Sequence, residues 1–561
     1  MDGATLYVKQ LKPYLYLLDE DHQATGYLVI GENKALLIDT MNGLTNLRAE
    51  VEKLTDKPVM VVNTHGHPDH VFGNVYFDEA YIHPKDVEMA QSFTKSEEYR
   101  RMFTDRGLTM PEFKPIREGD VINLGGKTLE VYELPGHTAG GILLLWKEDR
   151  ILFTGDGINH HLWMQLDDCM PVSEYVKELD RVMFLEKEAD LILHGHAQDY
   201  DDISLMRCVR NSCQEIADGK TVEDEPYPWF AGVGKKHRNT LMPGKRYQQS
   251  DSVVCYDPEN VLPEQPGDVP KRVRALRRAW AASDAARDAG LTEPGSVEVF
   301  RNISYGPHGD WNLLDVYRPK EKAGETLPVI VSIHGGGFFY GDKELYRFYT
   351  MHLAEMGFAV VNYNYRLAPE NHFPAPIEDA MAVLEWISAN AAQYGLDASN
   401  VFFVGDSAGA QLVSQFACIL TNPAYAKLFR MKAPEDITVR AISLACGVYT
   451  LVPDEGGEFT PMMLDYLADE ARTDNPRLEV KGNITEDYPP TFIFSAYLDS
   501  LYEACEPMAE FLKSRGVEVR CRIYGSPEAQ EVRHVFQVNM YLQEGERANR
   551  DQTAFFKEHI R

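Results

Sequence analysis

The chain has 561 residues, 44% of them hydrophobic and 25% charged, with a formal net charge of −30. A single hydrophobic core stops growing at roughly 250–300 residues, so two domains are expected rather than one. The acidic balance argues against nucleic acid as a partner, because affinity for phosphates rests on clustered Lys and Arg. The eight cysteines, at 169, 208, 213, 255, 418, 446, 505 and 521, include no CxxC pair and read as reduced, buried thiols. The opening MDGATLYVKQ has no basic stretch followed by an apolar one, and no segment approaches the roughly 18 apolar residues of a membrane span. The expectation is a cytoplasmic protein with no membrane partner; the oligomeric state is left open.

Between positions 5 and 196, short apolar runs end in Gly, Asp or His: GYLVIG, KALLIDT, PVMVVNTHGH, LEVYELPGH, RILFTGD and ADLILHGH. Runs of that length read as strands whose polar ends gather function. Helical periodicity appears at 44–54 and 172–185, and a further helix is expected within 197–219, so residues 1–230 read as an α/β layered domain. The segment 84–118 separates two core strands and reads either as a helical flap or as a packing excursion.

Zinc takes imidazole and carboxylate ligands that converge from rigid supports. Strand ends offer that support: His65, His67, Asp69 and His70 follow VMVVN, His137 follows LEVYELPG, Asp156 follows ILFTG and His196 follows ADLILHG. If these strand ends emerge on one side of a sheet, five histidines and two aspartates meet, enough for two divalent metal ions, zinc first among them. Such ions would activate water and polarise a carbonyl or phosphoryl oxygen. The motifs THGHPDH, PGHTAGG, FTGD and HGH together resemble those of the metallo-β-lactamase fold hydrolases, over about residues 5–215. The resemblance implies an αββα sandwich in which His65, His67 and His137 hold one metal, Asp69, His70 and His196 hold the other, and Asp156 bridges. Asp69 would also orient the attacking water or take its proton. The resemblance leaves the substrate open among esters, thioesters, lactones, lactams and phosphoesters. His83, His160, His161 and His194 lie nearby and have no ligand role in that family.

The texture changes at EDEPYPWFAGVGKKHRNTLMPGKRYQQ, which mixes Pro, Gly, aromatic and basic residues as domain edges do. Residues 231–292 carry more Lys and Arg than Asp and Glu, against an acidic remainder, and read as a linker or a cap. Within them, 270–288 is predicted helical, either as a packing or linker helix or as a lid over a second site. From 293 to 561 strand and helix signals alternate: VEVFRNISY, WNLLDVYRP, LPVIVSIHGGG, GFAVVNYNY, a helix at 376–394, VFFVGD and a helix at 407–419. This predicts an α/β domain with a mostly parallel sheet and helices on both faces.

GDSAG at 405–409 sits between an apolar strand and a helix, the context in which G-x-S-x-G makes a sharp turn that presents its serine. Ser407 is the expected nucleophile. HGGGFFYG, 334–341, again ends a strand, and a glycine run lets backbone N–H groups approach an oxyanion. With YRLAPENHFPAPIEDA, these motifs resemble the hormone-sensitive lipase branch of the α/β-hydrolase fold, over about 295–561. That resemblance implies oxyanion donors at Gly336, Gly337 and Ala408, with His334 bracing the loop. Acid and base follow the serine in this fold. Of the two histidines downstream, His534 follows a strand and His559 lies near the C-terminus, so His534 is the expected base. Asp499 matches the family's D-P-L-x-D-E with Ser in place of Pro, and Glu503 is the substitute acid. Together the halves predict a bifunctional hydrolase of small-molecule ester-type substrates, with a carboxylesterase for short or medium acyl esters in the second. The alternative is a single-activity esterase whose first domain is a substrate-binding or scaffolding module.

Overall fold

The computed structural model describes residues 4–228, 234–239, 252–265, 267–453 and 459–561. The chain separates into two compact units, Met1–Ala275 and Leu276–Arg561. The division falls inside the stretch 231–292 read from sequence as linker or cap. Part of that stretch joins the first unit's sheets: Gly234–Arg238 pairs with Val253–Tyr256, which also runs parallel to His161–Met164. Residues 231–233, 240–251 and 266 of the expected linker lie outside the described residues.

In the first unit, alternation along each strand builds the layers. On Ala35–Ile38, Leu36 and Ile38 join a cluster with Leu144, Trp146 and Phe153 of another sheet, whereas Ala35 and Leu37 join Leu47 and Val51 of the helix Leu47–Glu52. Ile142–Trp146 repeats the pattern. Leu144 and Trp146 point between the sheets, and Leu143 and Leu145 pack with Val176 and Leu179 of the helix Val172–Val182 and Val209 of the helix Leu205–Ala217. The result is helix, sheet, sheet, helix, the sheets having seven and six strands among the described residues. Val59–Val62 runs parallel to Ala35–Ile38, and Ile151–Gly155 runs parallel to Leu191–His194. Asp156 and His196 therefore leave their sheet at the same end. The segment 84–118 is a packing excursion, since Ala90, Tyr99 and Phe103 are buried with Val71 and Phe72.

The second unit is built on a sheet of eight strands among the described residues, in which Leu327–Ile333, Leu396–Asp406, Val439–Ala445, Thr491–Ala496 and Val519–Tyr524 are parallel neighbours in that order. Adjacent phenylalanines on Leu396–Asp406 face opposite ways: Phe402 stacks on Phe556 at 4.7 Å, and Phe403 meets Phe416 of the helix Ala408–Thr421 at 5.7 Å. Burial on both faces is why VFFV is a continuous apolar run rather than an alternating one. In register, Ile333 lies beside Gly405 and Asp406 beside Ala445, so the glycine run and GDSAG leave the sheet side by side. Among the described residues no helix is long and apolar enough to cross a membrane.

Phe402→Ala removes a ring from the middle of this packing and should lower the stability of the second unit by about 3–5 kcal/mol. The denaturant midpoint for that unit's unfolding reads the change. A loss below about 1 kcal/mol would show that the ring does not anchor the cluster.

Candidate active sites

All seven metal-ligand candidates of the first unit meet at its strand ends. The donor atoms of His65, His67 and His137 lie within 4.8 Å of one another, as do those of His65, His70 and Asp156 and those of Asp69, His70 and His196. His137 Nε2 is 3.0 Å from His67 Nδ1. Asp156 Oδ2 lies 3.1 Å from His196 Nε2, 3.6 Å from His70 Nε2 and 3.9 Å from His137 Nε2, so it faces both groups. Asp69 Oδ2 stands 3.6 Å from His70 Nε2 and 3.7 Å from His196 Nε2.

The second nitrogen of each ring decides what the first can do. His70 Nδ1 donates to Asp39 Oδ2 at 2.9 Å, His137 Nδ1 to the Trp163 carbonyl at 2.6 Å, and His196 Nδ1 to the Gln23 carbonyl at 2.7 Å. His65 Nδ1 pairs with Thr64 Oγ1 at 3.1 Å, and that hydroxyl donates to Asp39 Oδ2 at 2.7 Å. Each contact places the proton on Nδ1 and leaves an Nε2 lone pair aimed into the cluster. His65 Nε2 is buried and has no hydrogen-bond partner among the described residues. Imidazole and carboxylate donors converging this closely are costly unless a cation satisfies them, so the donor set fits a metal centre. Burial, reinforced by neighbouring rings, lowers His65 and His67 well below the ordinary imidazole range, and burial also lowers His137. Burial pulls His70 and His196 the same way, but Asp69, Asp156 and Asp39 outweigh it at His70 and Asp156 outweighs it at His196, raising both. Burial would raise Asp156, yet His196 and His70 hold it well below the usual carboxylate range.

Two carboxylates absent from the sequence reading organise this site. Asp39 accepts the Thr64 N–H at 2.7 Å besides its contacts to Thr64 Oγ1 and His70. Asp86 accepts from Gly66 N–H at 3.0 Å, Thr138 Oγ1 at 2.7 Å and Gly140 N–H at 2.6 Å, tying the loop of His65 and His67 to that of His137. Asp39 ends the run KALLIDT, and that strand-end position was the available signal; nothing local marks Asp86. His83 pairs with Glu133 at 2.9 Å, and His160 and His194 each lie 3.0 Å from Asp201. His161 Nε2 lies 3.1 Å from Tyr227 Oη.

In the second unit, Ser407 occupies the turn between Leu396–Asp406 and Ala408–Thr421 with φ 51° and ψ −118°, a conformation that L-residues rarely adopt. His534 Nε2 is 3.0 Å from Ser407 Oγ, and His534 Nδ1 is 2.8 Å from Asp499 Oδ1. Asp499 also accepts the Leu501 N–H at 2.9 Å and Ser495 Oγ at 2.7 Å. Burial would raise Asp499, but His534 and the Leu501 N–H are among the groups that hold it at about 2. The structure brings neither alternative here: His559 contacts the Phe555 carbonyl and Glu518, and Glu503 is exposed on the helix Tyr502–Ser514.

Gly336 and Gly337 have φ of 113° and 61°, and Ala408 opens a helix whose first N–H groups have no intrahelical acceptor. His334 is buried, pairs through Nδ1 with the Gly335 carbonyl at 2.7 Å, and is pushed by burial to about 4. The sequence reading missed Tyr346 and Asp406. Tyr346 Oη donates to Asp406 Oδ2 at 2.7 Å and accepts the Gly335 N–H at 3.0 Å, and burial pushes Asp406 up to about 6. A cavity of about 630 Å³ opens over Ser407 and His534, lined also by Phe338, Val448, Met462, Met463 and Leu542.

Both halves have counterparts among known proteins. Residues 19–196 match the Metallo-beta-lactamase superfamily and residues 330–537 the alpha/beta hydrolase fold, so the chain joins an N-terminal metallo-β-lactamase domain to a C-terminal α/β-hydrolase domain. Over 260 residues the chain is 29% identical to Esterase LipQ of Mycobacterium tuberculosis, a match spanning 44% of this chain and only 59% of that protein. Over 222 residues it is 29% identical to the Gallus gallus protein named Acyl-coenzyme A thioesterase MBLAC2, spanning 34% of this chain and 79% of that one. Among solved structures, esterase B from Lactobacillus Rhamnosis (HN001) is similar at a TM-score of 0.47 and 28% identity, covering 51% of this chain and 93% of that one.

Asp39→Ala should weaken zinc binding by roughly 10- to 100-fold, the usual effect of removing a carboxylate that orients a ligating histidine. Competition against a chromophoric chelator measures it. Unchanged affinity would mean that Asp39 does not orient the donor set.

Proposed function

We propose that the chain is a bifunctional hydrolase: a serine carboxylesterase in its second half and a dinuclear metal hydrolase in its first. The observation that carries the first part is the relay from Ser407 through His534 to Asp499, with contacts of 3.0 and 2.8 Å beside a cavity of about 630 Å³. Ser407 Oγ attacks an ester carbonyl while His534 Nε2 takes its proton. The N–H groups of Gly336, Gly337 and Ala408 hold the charge that develops on the carbonyl oxygen. Asp499 keeps the other proton on Nδ1 and stabilises the imidazolium. His534 returns its proton to the departing alcohol oxygen, leaving the acyl group on Ser407. Water, deprotonated by His534, then adds to the acyl-enzyme, and as the bond to Ser407 Oγ breaks His534 returns that proton to Oγ, releasing the acid and restoring the serine. The cavity is of small-molecule size, and Phe338, Val448, Met462, Met463 and Leu542 give it an apolar wall suited to short or medium acyl chains.

In the first domain, His65, His67 and His137 would hold one divalent ion and Asp69, His70 and His196 a second, with Asp156 shared. Zinc suits a set so rich in imidazole. Bound there, the ions supply Lewis acidity toward an acyl oxygen and lower the pKa of water. Asp39, Thr64 and the carbonyls of Gln23 and Trp163 keep the Nε2 atoms of the rings they touch free to ligate. Asp69 is the least buried of the carboxylates here and would take the proton of the attacking water. A thioester is the favoured substrate class, because the relative named an acyl-coenzyme A thioesterase is matched over 79% of its length.

A substrate panel separates the two sites. Ser407→Ala should lower turnover of short p-nitrophenyl esters by roughly 10⁶-fold, while chelator-sensitive hydrolysis of acyl-coenzyme A persists. Loss of both activities in that variant would leave one active site and give the first domain a binding role.

Elemental analysis of protein purified without chelator should find about two zinc ions per chain, with at least one lost in the double variant His65→Ala, His67→Ala. Wild-type protein that neither carries zinc nor takes it up would remove hydrolysis from the first domain.

A further inference from the structure

The helix Lys271–Arg287 is rich in Arg and Ala and buries little apolar surface, Val273 being its one fully buried position. A helix without an apolar stripe is held by specific polar and aromatic contacts instead. Within the second unit those contacts fall on one face. Arg277, Trp280 and Asp284 are spaced by three and four residues, so they point the same way. Arg277 Nε donates to the Phe339 carbonyl at 2.7 Å, its Nη2 to the Ala368 carbonyl at 2.9 Å, and its fork meets both oxygens of Glu370 at 2.7 Å. The Trp280 ring stacks on Phe339 at 5.1 Å and meets the edge of Tyr340 at 5.6 Å. Tyr340 Oη donates to Asp284 Oδ2 at 2.7 Å, and Arg287 holds the other oxygen of Asp284 at 2.7 Å.

Apart from the Arg287–Asp284 pair, these contacts bear on Phe339 and Tyr340, at the end of the glycine run, or on the segment of Ala368 and Glu370, tied to that end by the Ala368 N–H donating to the Phe338 carbonyl at 2.9 Å. Phe339 and Tyr340 fold back on the run itself. Phe339 N–H and Tyr340 N–H both reach the Gly336 carbonyl, at 3.2 and 2.9 Å, and a Cβ added to Gly336 would stand 1.9 Å from the Tyr340 carbonyl oxygen. The peptide of Gly336 therefore cannot shift without moving Tyr340. Glycine-rich backbone loses the most conformational freedom on ordering, and oxyanion donors work only when held in place beforehand. The order has to come from outside the run.

We propose that the face Arg277, Trp280, Asp284 is a fixed positioning element for the oxyanion loop, acting through Phe339 and Tyr340, rather than a lid that opens for substrate. The proposal rests on the esterase reading of Ser407. Trp280 and Asp284 also border the cavity over Ser407, so the split between kcat and KM separates positioning from substrate contact: on the proposal, loss of the three residues lowers kcat and leaves KM in place.

The test uses the full chain with Trp280→Ala, Arg277→Ala, Asp284→Asn and the stacking-preserving Trp280→Phe. A p-nitrophenyl phosphonate run to completion counts competent Ser407 sites, so that turnover is expressed per site. For Trp280→Ala, kcat per site should fall by about 10- to 100-fold, as expected when donors move by a fraction of an ångström to one ångström, with KM changed by less than about threefold. The inhibition constant of a trifluoromethyl ketone, whose tetrahedral adduct places its oxygen on the loop, should weaken in parallel, and Trp280→Phe should recover most of both. A purely structural role would lower the number of titratable sites and leave kcat per site unchanged. Values of kcat per site and ketone affinity within about twofold of wild type in Trp280→Ala and Arg277→Ala would overturn the proposal. So would a change confined to KM, which would make the face a substrate contact. If Trp280→Ala yields no titratable sites, Asp284→Asn, which keeps the volume and removes the charge facing Tyr340, decides by the same two ratios. Wild-type protein without ester turnover would instead sink the Ser407 reading.

Discussion

A buried carboxylate that fixes the proton of a histidine is the interaction on which both halves of this chain depend. An imidazole can act as base or ligand only at the nitrogen without the proton, and a partner on the other nitrogen decides which one that is. In the second unit Asp499 holds His534 Nδ1 and turns Nε2 toward Ser407. In the first, Asp39 holds His70 directly and reaches His65 through Thr64. Taking a carboxylate out of water costs several kcal/mol unless its lone pairs are met. Asp39 meets them with Thr64 N–H, Thr64 Oγ1 and His70, and Asp499 with Leu501 N–H, Ser495 Oγ and His534. The residues that look auxiliary are those that make the ionised forms tolerable.

The same logic marks what was legible in the sequence. His65, His137, Asp156, His196 and Ser407 all follow apolar strands, and a strand end is rigid, polar and solvent-facing at once, so position and chemistry coincide there. Asp39 has the same position but carries no motif. Asp86 had neither, because its role arises only when Gly66, Thr138 and Gly140 are brought together by packing. The segment 84–118 was ambiguous for a related reason: whether it covers a site or packs depends on Tyr99 and Phe103 finding Phe72, a long-range contact with no local signature.

The stretch 231–292 shows the limit most clearly. Its basic composition, with Pro and Gly interspersed, reads as an edge, yet Val253–Tyr256 is buried along its length and pairs with His161–Met164, far earlier in the chain. A four-residue strand framed by polar segments gives periodicity too little length to register. The helix at 270–288 was found, but its weak apolar stripe could not say what it does. Its contacts are cation to carbonyl, ring to ring and hydroxyl to carboxylate, and none of these leaves a hydrophobic period.

Glycines carry information of a different kind, since some are required by what stands beside them. A Cβ on Gly409 would come within 2.2 Å of the Ile333 carbonyl oxygen and 2.6 Å of that of His334. The second glycine of GDSAG is therefore the point where the helix bearing Ser407 touches the strand bearing the glycine run. Backbone against backbone, this contact sets the distance between Ser407 and the glycine run more firmly than side chains could. In the first unit, a Cβ on Gly195 would stand 2.4 Å from Asp156 Oδ1 and 2.5 Å from His70 Cε1. The glycine of HGH is thus demanded by the ligand cluster itself: any side chain there would enter the space that Asp156 and His70 share. In both motifs the small residue is a measure of how closely the catalytic parts approach. That is why short strings of Gly, His, Asp and Ser can mark two candidate sites without any knowledge of tertiary contacts.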